Sequence, residues 1–154
     1  MLNRQGVWNL FDIFGAQLRT MENIAEKIRN KAGFIIDMDG VIYHGNKLLP
    51  GVVEFLRWLE ETGKSYLFLT NASQRTPKEL HEKLERLGIN VGEEHFYTSA
   101  LATAGFLASQ KPDGSAYIIG DAGLIHALYS IGYTTNNVNP DYVVVGDTSS
   151  YNFE

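Results

Sequence analysis

Five short strand-like runs recur along the chain with helix-length segments between them. They are Phe34-Ile35-Ile36, Tyr66-Leu67-Phe68-Leu69, Phe96-Tyr97-Thr98, Ala116-Tyr117-Ile118-Ile119 and Tyr142-Val143-Val144-Val145. Continuously apolar runs of this length suit strands covered on both faces. Strands that alternate with helices predict right-handed βαβ units, and hence one parallel sheet with helices on both faces. The expected class is α/β.

The intervening segments carry helical signals. Pro50 opens a helix with the stripe Val52, Phe55, Leu56 and Leu59, stopped by Gly63. Thr76-Pro77-Lys78-Glu79 is a helix start in which Thr76 caps, Pro77 fits the first turn and Glu79 stands at the capping-box distance. Leu80, Leu84 and Leu87 give that helix its inner face, and Gly88 ends it. A further helix runs from Ala100 to about Ser109, and Asp121 is placed to cap one carrying Leu124, Leu128 and Ile131. Residues 40–50, rich in Gly, Asn and Pro, are expected to form a loop.

Ahead of the first strand, Val7, Phe11, Phe14, Leu18, Met21, Ala25 and Ile28 recur at spacings of four and three. That spacing predicts an amphipathic helix reaching about Asn30, either docked on its own domain or used for self-association. Gly6 and Gly15 weaken its first part.

Composition narrows the function classes. The chain of 154 residues has no cysteine and a net charge of −5, which excludes a disulfide framework and thiolate metal sites. No Lys or Arg follows Lys111, and an acidic chain without a basic stripe is a poor nucleic-acid binder. No apolar run reaches membrane-spanning length, and the first residues lack a signal-peptide pattern. The expectation is a cytoplasmic protein without nucleic-acid or membrane partners.

In open α/β sheets, ligands collect at the carboxyl ends of strands. Two polar clusters fall there. Asp37-Met38-Asp39-Gly40 follows the first strand, and its two carboxylates, two residues apart, can face one crevice. Like charges held together are costly unless a cation or a phosphate chemistry uses them. The pair suits one Asp as nucleophile and Mg²⁺ ligand and the other as general acid and base. Gly40 and Val41 would turn backbone N–H groups toward phosphate oxygens. The bland alternative is an acidic turn after a strand. The second cluster, Leu69-Thr70-Asn71, offers a hydroxyl and an amide to the same phosphate; alone it would be an ordinary turn.

Asp37-Met38-Asp39-Gly40-Val41 resembles the first motif of the haloacid dehalogenase superfamily of aspartate-nucleophile phosphatases, and Leu69-Thr70-Asn71 resembles its second. Phe96-Tyr97-Thr98-Ser99-Ala100 and Gly123-Leu124-Ile125-His126 are similar to the NagD-type branch. The segments 139–146 and 150–152 are similar to that branch's ribonucleotide (UMP) monophosphatases. The resemblance runs from about Gly33 to the last residue. It implies a Rossmann-like core and a Mg²⁺-dependent phosphatase of small phosphomonoesters, chiefly nucleoside 5′-monophosphates. Asp37 would be nucleophile and metal ligand. Asp39 would be acid/base and would lend its backbone carbonyl to the metal. Thr70, Asn71 and Gly40 would hold the phosphate.

The family's third motif, a Lys, and its fourth, a Gly-Asp with a further Asp, have no match here. Gly120-Asp121 and Gly146-Asp147 lack the second Asp, and Lys111-Pro112 lies in a Pro-Asp-Gly turn. The resulting expectation is an amino-terminal part of a catalytic core. Residues 1–32 would be a helical extension, 33–146 a partial core and 147–154 the start of a cap. Residues 1–20 have no counterpart in the resemblance, and Met21 is an alternative start. The first strand would then carry an exposed apolar edge, with self-association through that edge or through the first helix. Full activity is not expected of these residues alone, since a missing charge at a phosphoryl site costs several kcal/mol.

Among the remaining residues, His44 either lines the site mouth or, the favoured reading, is a solvated loop residue; Arg75 either reaches an anion or, again favoured, is a surface residue before a helix. His81, His95 and His126 lack the spacing of a zinc site. The competing functional readings are a catalytically silent fragment that binds Mg²⁺ or phosphate and a broad sugar-phosphate or 4-nitrophenyl phosphate phosphatase. A phospho-accepting receiver domain and a dinucleotide-binding domain fit less well; the latter lacks a G-x-G-x-x-G after the first strand.

Overall fold

Each of the five runs is a strand in the computed structural model of the chain, which describes residues 21–148. In chain order the elements begin with a helix over residues 21–29 (α1), β1 (Gly33–Asp37), β2 (Tyr43–His44), β3 (Lys47–Leu48) and α2 (Val52–Glu61). They continue with β4 (Ser65–Thr70), α3 (Pro77–Arg86), a 3-10 turn (Glu93–His95), β5 (Phe96–Thr98) and α4 (Ser99–Gln110). Last come β6 (Ser115–Ile119), α5 (Ala122–Ser130), β7 (Thr134–Thr135) and β8 (Tyr142–Val145). No helix among the described residues is long and apolar enough to cross a membrane.

The chain divides into the units Met1–Phe34 and Ile35–Glu154. In the first, α1 is closed by Asn30 N–H on Glu26 O and Lys31 N–H on Ile28 O, both at 3.0 Å. Met21, Ala25 and Ile28 of the expected stripe lie on this helix; Val7, Phe11, Phe14 and Leu18 lie outside the described residues.

The expected single sheet is two. One has the strand order β1-β4-β5, with β4 and β5 parallel through Phe68↔Phe96 and Thr70↔Thr98. The other has the order β7-β6-β8, parallel throughout, with β6 matched to β8 from Ala116↔Tyr142 to Ile119↔Val145. β6 pairs on both sides with strands that follow it in the chain, and neither β7 nor β8 pairs with a strand of the first sheet. β1 is an outer strand of its sheet, and its Ile35 is 74% exposed.

A hairpin, β2-β3, interrupts the expected loop 40–50, with Tyr43↔Leu48 and His44↔Lys47 paired around Gly45-Asn46. Pro50 precedes α2 instead of entering it, and Gly51, at φ 84°, is the N-cap. The capping box of α3 forms: Thr76 Oγ1 accepts from Glu79 N–H at 3.2 Å, and Glu79 Oε2 accepts from Thr76 N–H at 2.7 Å.

Apolar faces fill both halves of the second unit. Met38, Leu59, Phe68, Leu80, Leu84 and Phe96 are buried in the first half. In the second half, Ala104, Leu107, Ala116, Leu124, Leu128 and Val144 pack in one cluster with Tyr133. The buried Tyr133 hydroxyl shares its one proton between Lys111 O at 2.7 Å and Leu107 O at 3.1 Å, which helps satisfy carbonyls at the end of α4.

Candidate active site

Alternating burial sets the geometry at the end of β1. Ile36 and Met38 are buried while Asp37 and Asp39 are exposed, so the two carboxylates leave the chain on one side. Met38 N–H donates to Asp37 Oδ1 at 2.8 Å and steadies that carboxylate against its own strand end. The chain then turns back, with Gly40 N–H on Tyr43 O at 2.7 Å and Ile42 N–H on Met38 O at 2.8 Å. Gly40 sits at φ 78°, a conformation that glycine adopts without strain. Its N–H, expected to face a phosphate, is engaged by Tyr43 O, and Val41 N–H reaches Met38 O at 3.3 Å. Gly40 therefore contributes the turn and open space, with no atom within 4 Å of where a Cβ would stand.

Thr70 ends β4 and is 6% exposed. Its Oγ1 accepts from Ala72 N–H at 3.2 Å, so its hydroxyl proton can still be donated. The carbonyl of the next residue, Asn71, accepts from Ser99 Oγ at 2.7 Å. The loop that follows is clamped between the two sheets. Ser73 Oγ accepts from Asp147 N–H at 2.9 Å, and Gln74 O accepts from Gly123 N–H at 2.9 Å. A Cβ on Gly123 would stand 2.6 Å from Ser73 O and 2.7 Å from Arg75 N, so only glycine permits this approach.

These elements enclose a cleft of about 520 Å³ whose lining includes Asp39, Tyr43, His44, Thr70, Asn71, Arg75, Lys83 and Asp147. Asp39, Thr70 and Asn71, singled out in the sequence, thus share one cavity. Asp37 is not among its lining residues, but it acts electrostatically on Tyr43, less strongly than Asp39 does. Burial first, and then the Asp39 carboxylate, push the Tyr43 phenol above its ordinary value.

Five further polar residues line the cleft, of which the sequence marked only His44 and Arg75, as less favoured alternatives. Tyr43 lies in the unforeseen hairpin. Arg75, expected at the surface, is exposed yet lines the cleft, and so does His44. Lys83 projects from α3, with its Nζ 3.5 Å from the Tyr43 ring centroid, a cation–π contact. Burial, and then the neighbouring Arg75 guanidinium, pull the Lys83 ammonium below its usual value. Asp147 arrives from the end of β8. The only sequence signal for Lys83 was its place on the same helix face as Leu80 and Leu87, three and four residues away.

Other candidates lie elsewhere. Lys111 is ion-paired with Asp141. Asp121 precedes α5 but makes no capping bond; its Oδ1 accepts from Thr148 Oγ1 at 2.6 Å instead. His81 Nδ1 contacts Val91 O at 2.6 Å and His95 Nδ1 contacts Tyr66 O at 3.0 Å, which makes both packing residues. Among the described residues no group of three or more His, Cys, Asp or Glu side chains is arranged to hold a metal.

Comparison with known proteins identifies the family. The model of a family described as haloacid dehalogenase-like hydrolase matches residues 34–134. The chain is 43% identical over 120 residues to the ribonucleotide monophosphatase NagD of Escherichia coli, covering 78% of this chain and 48% of that protein. The solved NagD structure superposes with a TM-score of 0.75 over 79% of this chain and 48% of its own. The 5′-nucleotidase YutF of Bacillus subtilis is 42% identical, over 79% of this chain and 48% of that protein. A glycerol phosphate phosphatase of Mycobacterium tuberculosis, solved in complex with magnesium, is 28% identical with a TM-score of 0.72, over 79% of this chain and 37% of its own. The chain spans about half the length of the curated relatives it matches.

Proposed function

We infer a function from the family to which this chain belongs, the haloacid dehalogenase-like hydrolases, in their NagD-type branch. We propose that it serves hydrolysis of small phosphomonoesters through an aspartyl-phosphate on Asp37. The observation that carries the proposal is that Asp39, Thr70 and Asn71, contributed by two strand ends, line one cleft next to Asp37.

In the first step a carboxylate oxygen of Asp37 attacks phosphorus, and the bond from phosphorus to the ester oxygen breaks. Asp39, protonated, gives its proton to the departing alkoxide. In the second step Asp39 takes a proton from a water that attacks the same phosphorus, which returns Asp37 as a carboxylate and releases inorganic phosphate. The Thr70 hydroxyl and the Asn71 amide donate to the phosphoryl oxygens, and the open space at Gly40 lets the group approach.

The donor set fits magnesium. Asp37 and Asp39 are exposed, on one side of the chain, and no Lys or Arg among the described residues ion-pairs with either. Magnesium takes one or two carboxylates and fills its remaining positions with water and phosphate oxygens. Bound there, it would supply charge neutralisation between the Asp37 carboxylate and a phosphate dianion.

The nucleotide-directed names of NagD and YutF favour nucleoside 5′-monophosphates such as UMP, with sugar and 4-nitrophenyl phosphates as the broader class. Because the chain spans about half of these relatives, a second reading is a polypeptide that binds magnesium or phosphate without turnover. The test is release of inorganic phosphate from UMP, glycerol phosphate and 4-nitrophenyl phosphate, with and without magnesium. Magnesium-dependent release that Asp37→Asn removes is the expected result. Release that Asp37→Asn leaves unchanged overturns the proposal, and no release by the wild type selects the second reading.

A further inference from the structure

The cleft has a cationic wall that the reaction above does not use. Lys83 and Arg75 both line it, and they come from different elements: Lys83 from α3, Arg75 from the loop that Gly123 and Ser73 clamp. Lys83 is partly buried with its ammonium over the Tyr43 ring. Neither cation ion-pairs with a carboxylate among the described residues, although Asp39 lies in the same cleft. Two like charges directed into one cavity repel, and burial of one of them adds a desolvation cost. An anion seated between them reverses both terms. Thr70 and Asn71, in the same cavity, are neutral donors able to complete the shell of a tetrahedral oxyanion.

We propose that Lys83 and Arg75, with Thr70 and Asn71, form a phosphate-binding site that captures the dianionic phosphate of a monoester without a divalent cation. The identity of the anion rests on the phosphomonoester reading; the site itself does not. Tyr43 acts as the positioning residue, since its ring holds the ammonium over the cavity and away from an ion pair with Asp39.

The test is calorimetric titration of the full chain with inorganic phosphate, in chelator and free of magnesium. The wild type is expected to bind. Lys83→Met and Arg75→Met are each expected to weaken binding by about tenfold or more, the range for a charge-assisted contact. Lys83→Arg is expected to retain most of the affinity, and Lys78→Met, on an exposed position of α3 outside the cleft, all of it. Circular dichroism of each variant separates lost binding from lost folding, and the Lys83→Arg variant decides the matter if Lys83→Met does not fold. Binding that appears only with magnesium, or that Lys83→Met and Arg75→Met leave intact, overturns the proposal. Asp37→Asn, which probes hydrolysis, removes a like charge beside the anion and is expected to raise magnesium-free phosphate affinity. A chain that binds phosphate but turns nothing over would therefore keep this inference while removing the hydrolytic one.

Discussion

Ser73 Oγ accepts a hydrogen bond from the backbone N–H of Asp147 at 2.9 Å, across 74 residues of sequence. Ser73 is itself buried, at 6% exposure, and the bond joins the loop after β4 to the end of β8. Removing the hydroxyl leaves a partly buried N–H without its partner. Ser73→Ala is expected to lower the unfolding free energy by about 1–3 kcal/mol, the cost of an orphaned buried polar group. Urea unfolding followed by far-ultraviolet circular dichroism would show a lower midpoint at unchanged slope; an unchanged midpoint would refute the importance of the bond.

Two glycine substitutions should shift stability in opposite directions. At Gly123 a Cβ would stand 2.6 Å from Ser73 O, and the obstacle is backbone that cannot swing away. Gly123→Ala is expected to destabilise by about 1–3 kcal/mol despite its better helix propensity. At Gly105, inside α4, nothing lies within 4 Å of the Cβ position. Gly105→Ala should stabilise by about 0.5–1 kcal/mol through reduced entropy of the unfolded chain. Thermal melts of the pair, run side by side, check both signs.

The α3 capping box offers a local test. Thr76→Ala removes the acceptor for Glu79 N–H and a donor to Glu79 Oε2. A loss of about 1 kcal/mol is expected, within the usual range for a cap. Thr76→Ser, which keeps the oxygen, should recover most of it. Equal losses in the two variants would show that the cap is not the source.

Acid should act at Asp141. The Lys111 ammonium, followed by the Ser115 N–H and hydroxyl, holds the Asp141 carboxyl down at about 2, from an ordinary 3.8. A carboxyl whose folded value is depressed contributes stability above its unfolded value and loses it as pH falls toward the folded one. The contribution of this group should therefore fade between about pH 4 and pH 2. Asp141→Asn is expected to flatten that part of the stability profile and to leave its shape above about pH 5 unchanged, as measured by urea midpoints across the range.

What the sequence revealed follows the range of the forces involved. The runs at Phe34 and Tyr142 declare strands because three or four adjacent side chains suffice, and the Thr76–Glu79 box closes within four residues. Asp39, Thr70 and Asn71 were legible because strand ends in an α/β fold converge. The hairpin at Tyr43 was missed because two-residue strands are too short to show alternation, and Gly45-Asn46 was its only local mark. The division into two sheets was missed because β6 looks the same whether it extends β5 or gathers β7 and β8; that choice lies in long-range pairing. Lys83 sits among other charged residues that face water, and only the folded contact with Tyr43 sets it apart; Arg75 was marked by its place after Thr70-Asn71, but only the clamp on Gly123 brings it to the cleft.

The tight seat of Gly123 against Ser73 and Arg75 has a mechanical consequence. With no slack at that joint, the segment bearing Asn71 and Arg75 is held against the start of α5 by backbone alone, which leaves no side chain there to repack.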